Sequence, residues 1–268
     1  MSLLIDADYL AYKTCAACED ETDFGNDVIV VTSKFQEVTR SFTQEINKIW
    51  NVFDQEIILF FSSPRNFRKE ISPDYKGHRN RKKPCGYKRL LNWCAEYYET
   101  IIVDGLEADD AIGIFATNPI EQDYDHVIVS PDKDMKQIPG YLYNLKDPMI
   151  ETTHQEADKW FFMQTMSGDQ TDGYAGVPGI GLKKAAAILD EKGCCWEAVL
   201  ETFLKAGLTE DDALLNARLA RILRYTDYDS QNNAVNLWTP DTSSSSGDDD
   251  GAAVQAAEDQ GSTATSKA

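Results

Sequence analysis

Four short apolar runs punctuate the first half of the chain: Leu3-Leu4-Ile5, residues 57–61, Ile101-Ile102-Val103 and Val127-Ile128-Val129. They are continuous rather than alternating, the pattern of strands buried on both faces. Stretches with helical spacing, at 39–52, 87–98 and 108–117, fall among them. Such alternation predicts an α/β domain with a largely parallel central sheet flanked by helices. In these sheets ligands gather beyond the carboxyl ends of the strands. From about residue 160 the spacing is helical throughout, with elements expected at 160–167, 182–189, 196–204 and 211–225. The chain therefore divides into an α/β core at 1–158, a helical part at 159–240 and a tail at 241–268. The tail has no aromatic and almost no large aliphatic residue. It cannot offset its ordering entropy by burial and is expected to be disordered.

With 268 residues, 42% hydrophobic and 26% charged, the chain has the composition of a globular domain with a substantial core. No apolar run approaches the roughly 18 to 20 residues of a membrane helix. The first twelve residues lack the basic start of a signal peptide, so a cytoplasmic location and no membrane partner are expected. Of six cysteines, Cys15 and Cys18 form one CxxC, with no second pair or histidine cluster to close a zinc tetrahedron. Reduced thiols are expected.

The net charge of −19 argues at first against a nucleic-acid partner, but its distribution matters more than its sum. Residues 64–89 hold ten Lys and Arg against two acids, a local +8 within the basic region 64–95. A charge run is usually a solvated face. This one lacks mixed signs, which points to an anionic partner.

Acids recur just after the predicted strands. Asp6 follows the first strand, Glu107, Asp109 and Asp110 the third, and Asp132 and Asp134 the fourth; Asp169 and Asp172 lie further on. A lone DxD is usually a turn or cap, and Asp8, pointed away from Asp6 by strand alternation, is read that way. Together, carboxylates delivered to one sheet end would repel, and hard divalent cations relieve that strain. Two ions roughly 4 Å apart can clamp an in-line phosphoryl displacement. Lys76 and Arg79, three apart, would share a helix face and hold a phosphate, with Tyr75 as a stacking surface. The turn Gly176-Val177-Pro178-Gly179-Ile180-Gly181 opens a predicted helix bearing Lys183 and Lys184. Its amides suit a DNA phosphate, although glycine at a tight turn alone would explain it.

These motifs, L-I-D-A-D at 4–8, Y-K-G-H-R at 75–79, L-E-A-D-D at 106–110, S-P-D-K-D at 130–134 and the run Q-T-M-S-G-D-Q-T-D-G-Y-A-G-V-P-G-I-G at 164–181, resemble the 5′→3′ exonuclease and flap endonuclease family in kind and order. N-F-R-K-E at 66–70, K-K-P-C-G-Y at 82–87 and A-R-I-L-R-Y at 220–225 are most similar to the exonucleases of short-tailed phages. The resemblance implies a PIN/FEN-like fold with a helix-three-turn-helix at 176–190. It implies a metal-dependent 5′-nuclease acting on DNA 5′ ends, duplexes or flaps, and on RNA–DNA hybrids, as a monomer. Asp6, Glu107, Asp109 and Asp110 would belong to a first Mg²⁺ or Mn²⁺ site. Asp132 and Asp134 would lie at or between the sites, and Asp169 and Asp172 would complete the second. Lys76 and Arg79 would contact the scissile phosphate. Arg65, Arg68, Arg81, Lys82, Lys83, Gly179, Gly181, Lys183 and Lys184 would hold DNA, and a monovalent cation would sit at the helix-three-turn-helix.

One departure stands out: Ser63 occupies a position where the family places an aspartate. A hydroxyl is a poor Mg²⁺ ligand, which predicts weaker first-site affinity. Two other readings compete. A catalytically weakened, structure-specific DNA-binding protein would bind branched DNA without turnover. An RNase toxin of the PIN type would share the acidic core but not the glycine-rich turn.

Overall fold

A computed structural model describes residues 2–78, 82–120, 126–146 and 148–240. The expected disordered tail lies outside them, as do Arg79 and Arg81. Chain order runs β1 (Ser2–Asp6), α1 (Ala7–Ala17), β2 (Glu19–Asp23), β3 (Ile29–Ser33), α2 (Phe35–Phe53), β4 (Glu56–Phe60), α3 (Arg68–Ile71), α4 (Tyr87–Tyr97), β5 (Glu99–Ile101), α5 (Ala108–Ala116) and β6 (Val127–Val129). A 3-10 turn (Lys133–Gln137) leads to β7 (Gly140–Tyr143) and β8 (Ile150–Thr152). Then come α6 (His154–Ser167), α7 (Leu182–Lys192), α8 (Trp196–Lys205), α9 (Glu210–Ala220) and the small pair β9 (Tyr228–Asp229) and β10 (Ala234–Val235).

The central sheet has the order β5-β4-β1-β6-β7-β8. Its strands are parallel except β8, which returns antiparallel to β7. Strand alternation sorts β1 between two layers. Leu3 and Ile5 pack with Leu10 of α1, Phe42 and Ile46 of α2 and Leu90 of α4. Leu4 faces the other way, onto Ala111 and Ile112 of α5. In α2 the buried residues Val38, Phe42, Ile46 and Ile49 recur at three- and four-residue intervals, the single apolar stripe of an amphipathic helix.

The helices α6 to α9 enclose a third apolar cluster around Met166, Leu189, Val199 and Phe203. Two of them begin with reciprocal caps, Thr153 with Glu156 and Thr209 with Asp212. Residues 1–238 nevertheless form one compact unit.

The α/β architecture with a mostly parallel sheet is as the apolar runs predict. Several elements differ from the pattern reading: β2, β3, β7 and β8 lie outside the four predicted strands, and α6 begins at His154 rather than near residue 160. Residues 7–17, where strand alternation was expected to continue, are helical, so Asp8 sits in a first helical turn. The third strand lies at Glu99–Ile101, ahead of Ile102 and Val103. The last helix stops at Ala220 and continues as an extended segment, because Arg221 is already in the β region.

Candidate metal centre

The acids arrive from separate elements. Asp6 closes β1, and the Ser130 hydroxyl at the end of β6 donates to it at 3.0 Å. Ser130 also accepts from the Asp132 amide at 3.1 Å, and Asp132 caps the 3-10 turn by accepting from the Asp134 amide at 2.9 Å. Glu107 and Asp110 form a reciprocal cap on α5, which carries Asp109 in its first turn. Oxygens of Glu107, Asp109 and Asp110 lie within 4.8 Å of one another. Asp169 and Asp172 belong to a tight turn in which Asp169 accepts from the Thr171 amide at 2.7 Å.

That turn exists because backbones touch. A Cβ on Gly168 would stand 2.3 Å from the Ala175 carbonyl carbon, and one on Gly176 would meet the Gly168 nitrogen at 2.3 Å. Both glycines also have positive φ, where L side chains are strained.

Asp109, Asp132, Asp134, Asp169 and Asp172 line one cavity of about 230 Å³, together with Lys76. Lys76 is not helical; it sits in a turn with φ of 52°, and its amide donates to the Asp172 carbonyl at 2.8 Å. Its ammonium lies 2.6 Å from Glu107 and 3.7 Å from Asp172. The side chain so spans the two acid groups, although the shared helix face expected with Arg79 is absent at Lys76. Lys133 lies 2.7 Å from Asp134 and 4.0 Å from Asp169.

The electrostatics carry the strain of this crowding. Burial, then the charge of Asp8, push the Asp6 carboxyl up to about 7. Burial, then Asp110 and Glu107, hold Asp109 well above the carboxylate range. Asp134 is raised by burial and by Asp132. For Glu107 burial acts upward, but Lys76 and Arg68 outweigh it and hold the carboxyl down to about 2. An all-oxygen donor set short of countercharge fits hard divalent cations.

Two residues expected at the DNA surface are inside. Tyr75 is 2% exposed, and its hydroxyl donates to Glu107 at 3.0 Å and Asp172 at 3.2 Å, so it offers no stacking face. Arg68 is also 2% exposed and grips Asp110 through two bonds of 2.6 and 2.7 Å. Its guanidinium lies over the Phe67 ring at 4.6 Å. Arg65 is exposed but paired with Asp104 and Glu70. Lys82 and Lys83 are exposed, Lys83 over the Tyr87 ring at 4.3 Å. Lys183, Lys184, Gly179 and Gly181 are exposed where α7 begins, and a Cβ on either glycine would meet nothing within 4 Å. Lys184 donates to the Gly179 carbonyl at 2.8 Å, a lysine on one of the carbonyls of the turn expected to hold a monovalent cation.

Asp8 is engaged elsewhere, accepting from the Ser62 amide at 3.0 Å and from the Tyr87 hydroxyl. Ser63 donates to Asp104 at 3.1 Å and accepts from the Arg65 amide at 3.2 Å. Ser62 instead accepts from the Ala108 amide at 3.0 Å, bracing the start of α5. Pattern reading missed the parts of Ser62 and Ser130. Their only signal was position, immediately beyond a strand end.

The family model for the 5′-3′ exonuclease N-terminal resolvase-like domain matches residues 1–163. The exodeoxyribonuclease of Enterobacteria phage T3 is 28% identical over 89% of this chain and 92% of its own length. The exonuclease of Escherichia phage T7 is also 28% identical, over 89% and 93%. The fold is similar to that of the bacteriophage T5 5′-exonuclease with divalent metal ions (zinc) bound, with a TM-score of 0.58, 17% identity, and 82% and 88% of the two chains covered. No helix among the described residues is long and apolar enough to cross a membrane. The acid-lined sheet end, the family model and the two phage relatives agree: the chain is a nuclease and belongs to the 5′-3′ exonuclease family.

Proposed function

We propose that the chain hydrolyses phosphodiester bonds at the 5′ ends and 5′ flaps of DNA, and of RNA–DNA hybrids, with two divalent cations. The observation that carries this reading is the single cavity into which Asp109, Asp132, Asp134, Asp169, Asp172 and Lys76 converge from separate elements. Asp6, Glu107 and Asp109 would hold one ion, and Asp134, Asp169 and Asp172 the other, with Asp132 between them. Bound there, the cations would supply a nucleophile at neutral pH and neutralise charge developing on the leaving oxygen.

The chain's own residues do the rest. Lys76, kept positive by Glu107, presents an ammonium to a non-bridging phosphate oxygen. Tyr75 holds Glu107 and Asp172 in fixed relation through one hydroxyl. The exposed glycine turn before α7, with Lys183 and Lys184, suits the duplex backbone away from the reacting phosphate.

Single-turnover cleavage of a 5′-labelled duplex carrying a flap tests the reading, in Mg²⁺, Mn²⁺ or EDTA. Short 5′ products with either metal and none in EDTA are expected. Tight binding without cleavage in all three would instead favour a DNA-binding protein, and restoring aspartate at Ser63 would then test whether that one loss explains it. A matched substrate with a ribonucleotide 5′ strand reads out the hybrid activity.

A further inference from the structure

Resting on the nuclease reading, we infer that Asp110 is not a metal ligand, and that it forms with Arg68 a buried clasp that positions Glu107 and Asp109 for the metals. The argument is one of lone pairs. A carboxylate has about four acceptor sites. On Asp110, Oδ1 accepts from Arg68 at 2.7 Å and from the Leu223 amide at 3.1 Å. Oδ2 accepts from Arg68 at 2.6 Å and from the Glu107 amide at 3.3 Å. The oxygens are full, and the side chain is 0% exposed. Asp110 thus has no lone pair to offer a cation without breaking a fully buried two-bond pair, although its oxygens lie beside those of Glu107 and Asp109. Glu107 also accepts from Arg68, Tyr75 and Lys76, but it is 16% exposed and can exchange a single bond for a metal.

The other half of the clasp is equally committed. The Arg68 Nε donates to the Leu219 carbonyl at 3.1 Å, and Nη2 also donates to the Arg221 carbonyl. Nη1 reaches Glu107 at 3.3 Å. One ion pair therefore ties α3, the first turn of α5 and the extended segment after α9. These are the elements that fix the backbone of Glu107 and Asp109 from outside the sheet. The extended segment presses on α5 a turn later as well: a Cβ on Gly113 would stand 2.3 Å from the Leu223 carbonyl oxygen. Lysine at position 68 would keep the charge but could not fork onto both Asp110 oxygens while reaching two carbonyls.

A double-mutant cycle on the full chain tests this, with Mn²⁺ binding read by calorimetry, melting by circular dichroism and cleavage at saturating Mn²⁺. Arg68→Met and Asp110→Leu each leave a buried charge unpaired, so each single variant should melt lower and bind Mn²⁺ on the order of 10- to 100-fold more weakly. The double variant replaces the pair with apolar volume. It should regain cooperative melting and the wild-type number of bound ions, with affinity recovered well beyond either single variant. Arg68→Lys separates positioning from mere charge: it keeps a cation beside Asp110 and should melt above Arg68→Met, yet bind Mn²⁺ roughly tenfold more weakly than the wild type.

A double variant that binds one ion fewer than the wild type makes Asp110 a ligand and overturns the inference. So does an Arg68→Lys chain with wild-type Mn²⁺ affinity. If the wild type itself neither binds Mn²⁺ nor cleaves, the nuclease reading falls with the clasp. If it does both and only the cycle fails, the clasp alone is removed.

Discussion

At the scale of single residues, charge crowding accounts for most of what the site can do. Among the described residues, Lys76 is bonded to Glu107 and also approaches Asp172, which Arg68, the other cation bonded to Glu107, is not seen to do. Replacing it with methionine removes a charge that the reaction would need on the phosphate. Single-turnover cleavage should fall about 10²- to 10³-fold with duplex binding little changed; a rate within threefold of wild type would remove Lys76 from the chemistry. Asp6 sets a pH dependence whose sign follows from its raised pKa. Its folded carboxyl, held up to about 7, binds a proton that the unfolded chain releases near 3.8. The native state therefore holds the extra proton between those values, and this contribution to stability is lost as pH rises through the window. Urea midpoints in EDTA should fall from pH 4.5 to 7.5 more steeply for wild type than for Asp6→Asn. Equal slopes would show that the crowding is relaxed by other means.

Between elements, the fit depends on close backbone approach more than on side-chain bulk. Gly113 faces the Leu223 carbonyl with no room for a methyl group, and Ile138 closes the other side at 2.7 Å. Gly113→Ala should favour the isolated helix, by roughly 1 kcal/mol on intrinsic propensity. Overpacking there should cost about 1–3 kcal/mol, which leaves a net loss of up to about 2 kcal/mol. Chemical denaturation that finds Gly113→Ala as stable as wild type would mean that the segment after α9 moves away without penalty. Helix α5 is thus clamped at its start by the Arg68–Asp110 pair and along its length by a glycine contact. The metal-ligating candidates Glu107 and Asp109 inherit that rigidity.

For the whole molecule, the balance of charge decides how an acidic protein meets DNA. A net −19 repels a polyanion at long range, so binding must rest on local cations on the side the duplex approaches. Lys183 and Lys184 at the start of α7 are exposed and stand beside the exposed Gly179 and Gly181, where a Cβ would meet nothing within 4 Å. Replacing both with alanine should weaken duplex binding uniformly across sequences and reduce the salt slope by about two. Cleavage of saturated substrate should stay near wild type. An unchanged slope would move the duplex path to Lys82 and Lys83.

Much of this was legible in the order of residues. Continuous apolar runs fix parallel strands, because only a strand covered on both faces stays hydrophobic at every position. Acids placed directly after such runs must gather at one sheet end, since parallel strands share a direction. That is why Asp6, Asp109, Asp132 and Asp134 could be named together. The exposed hairpin of β2 and β3 was not legible: with acids in one strand, both faces in solvent and no buried stripe, it has no periodicity to read. The inward turn of Arg68 and Tyr75 was equally hidden. A sequence gives the charge of an arginine but not the company it keeps, and Asp110, Leu219 and Arg221 lie 42 to 153 positions away. Sequence determined which chemistry gathers at the sheet end, because strand direction is local. Only the tertiary structure decided which charges line the cavity and which are spent on each other, because pairing depends on segments that meet only when the chain has folded.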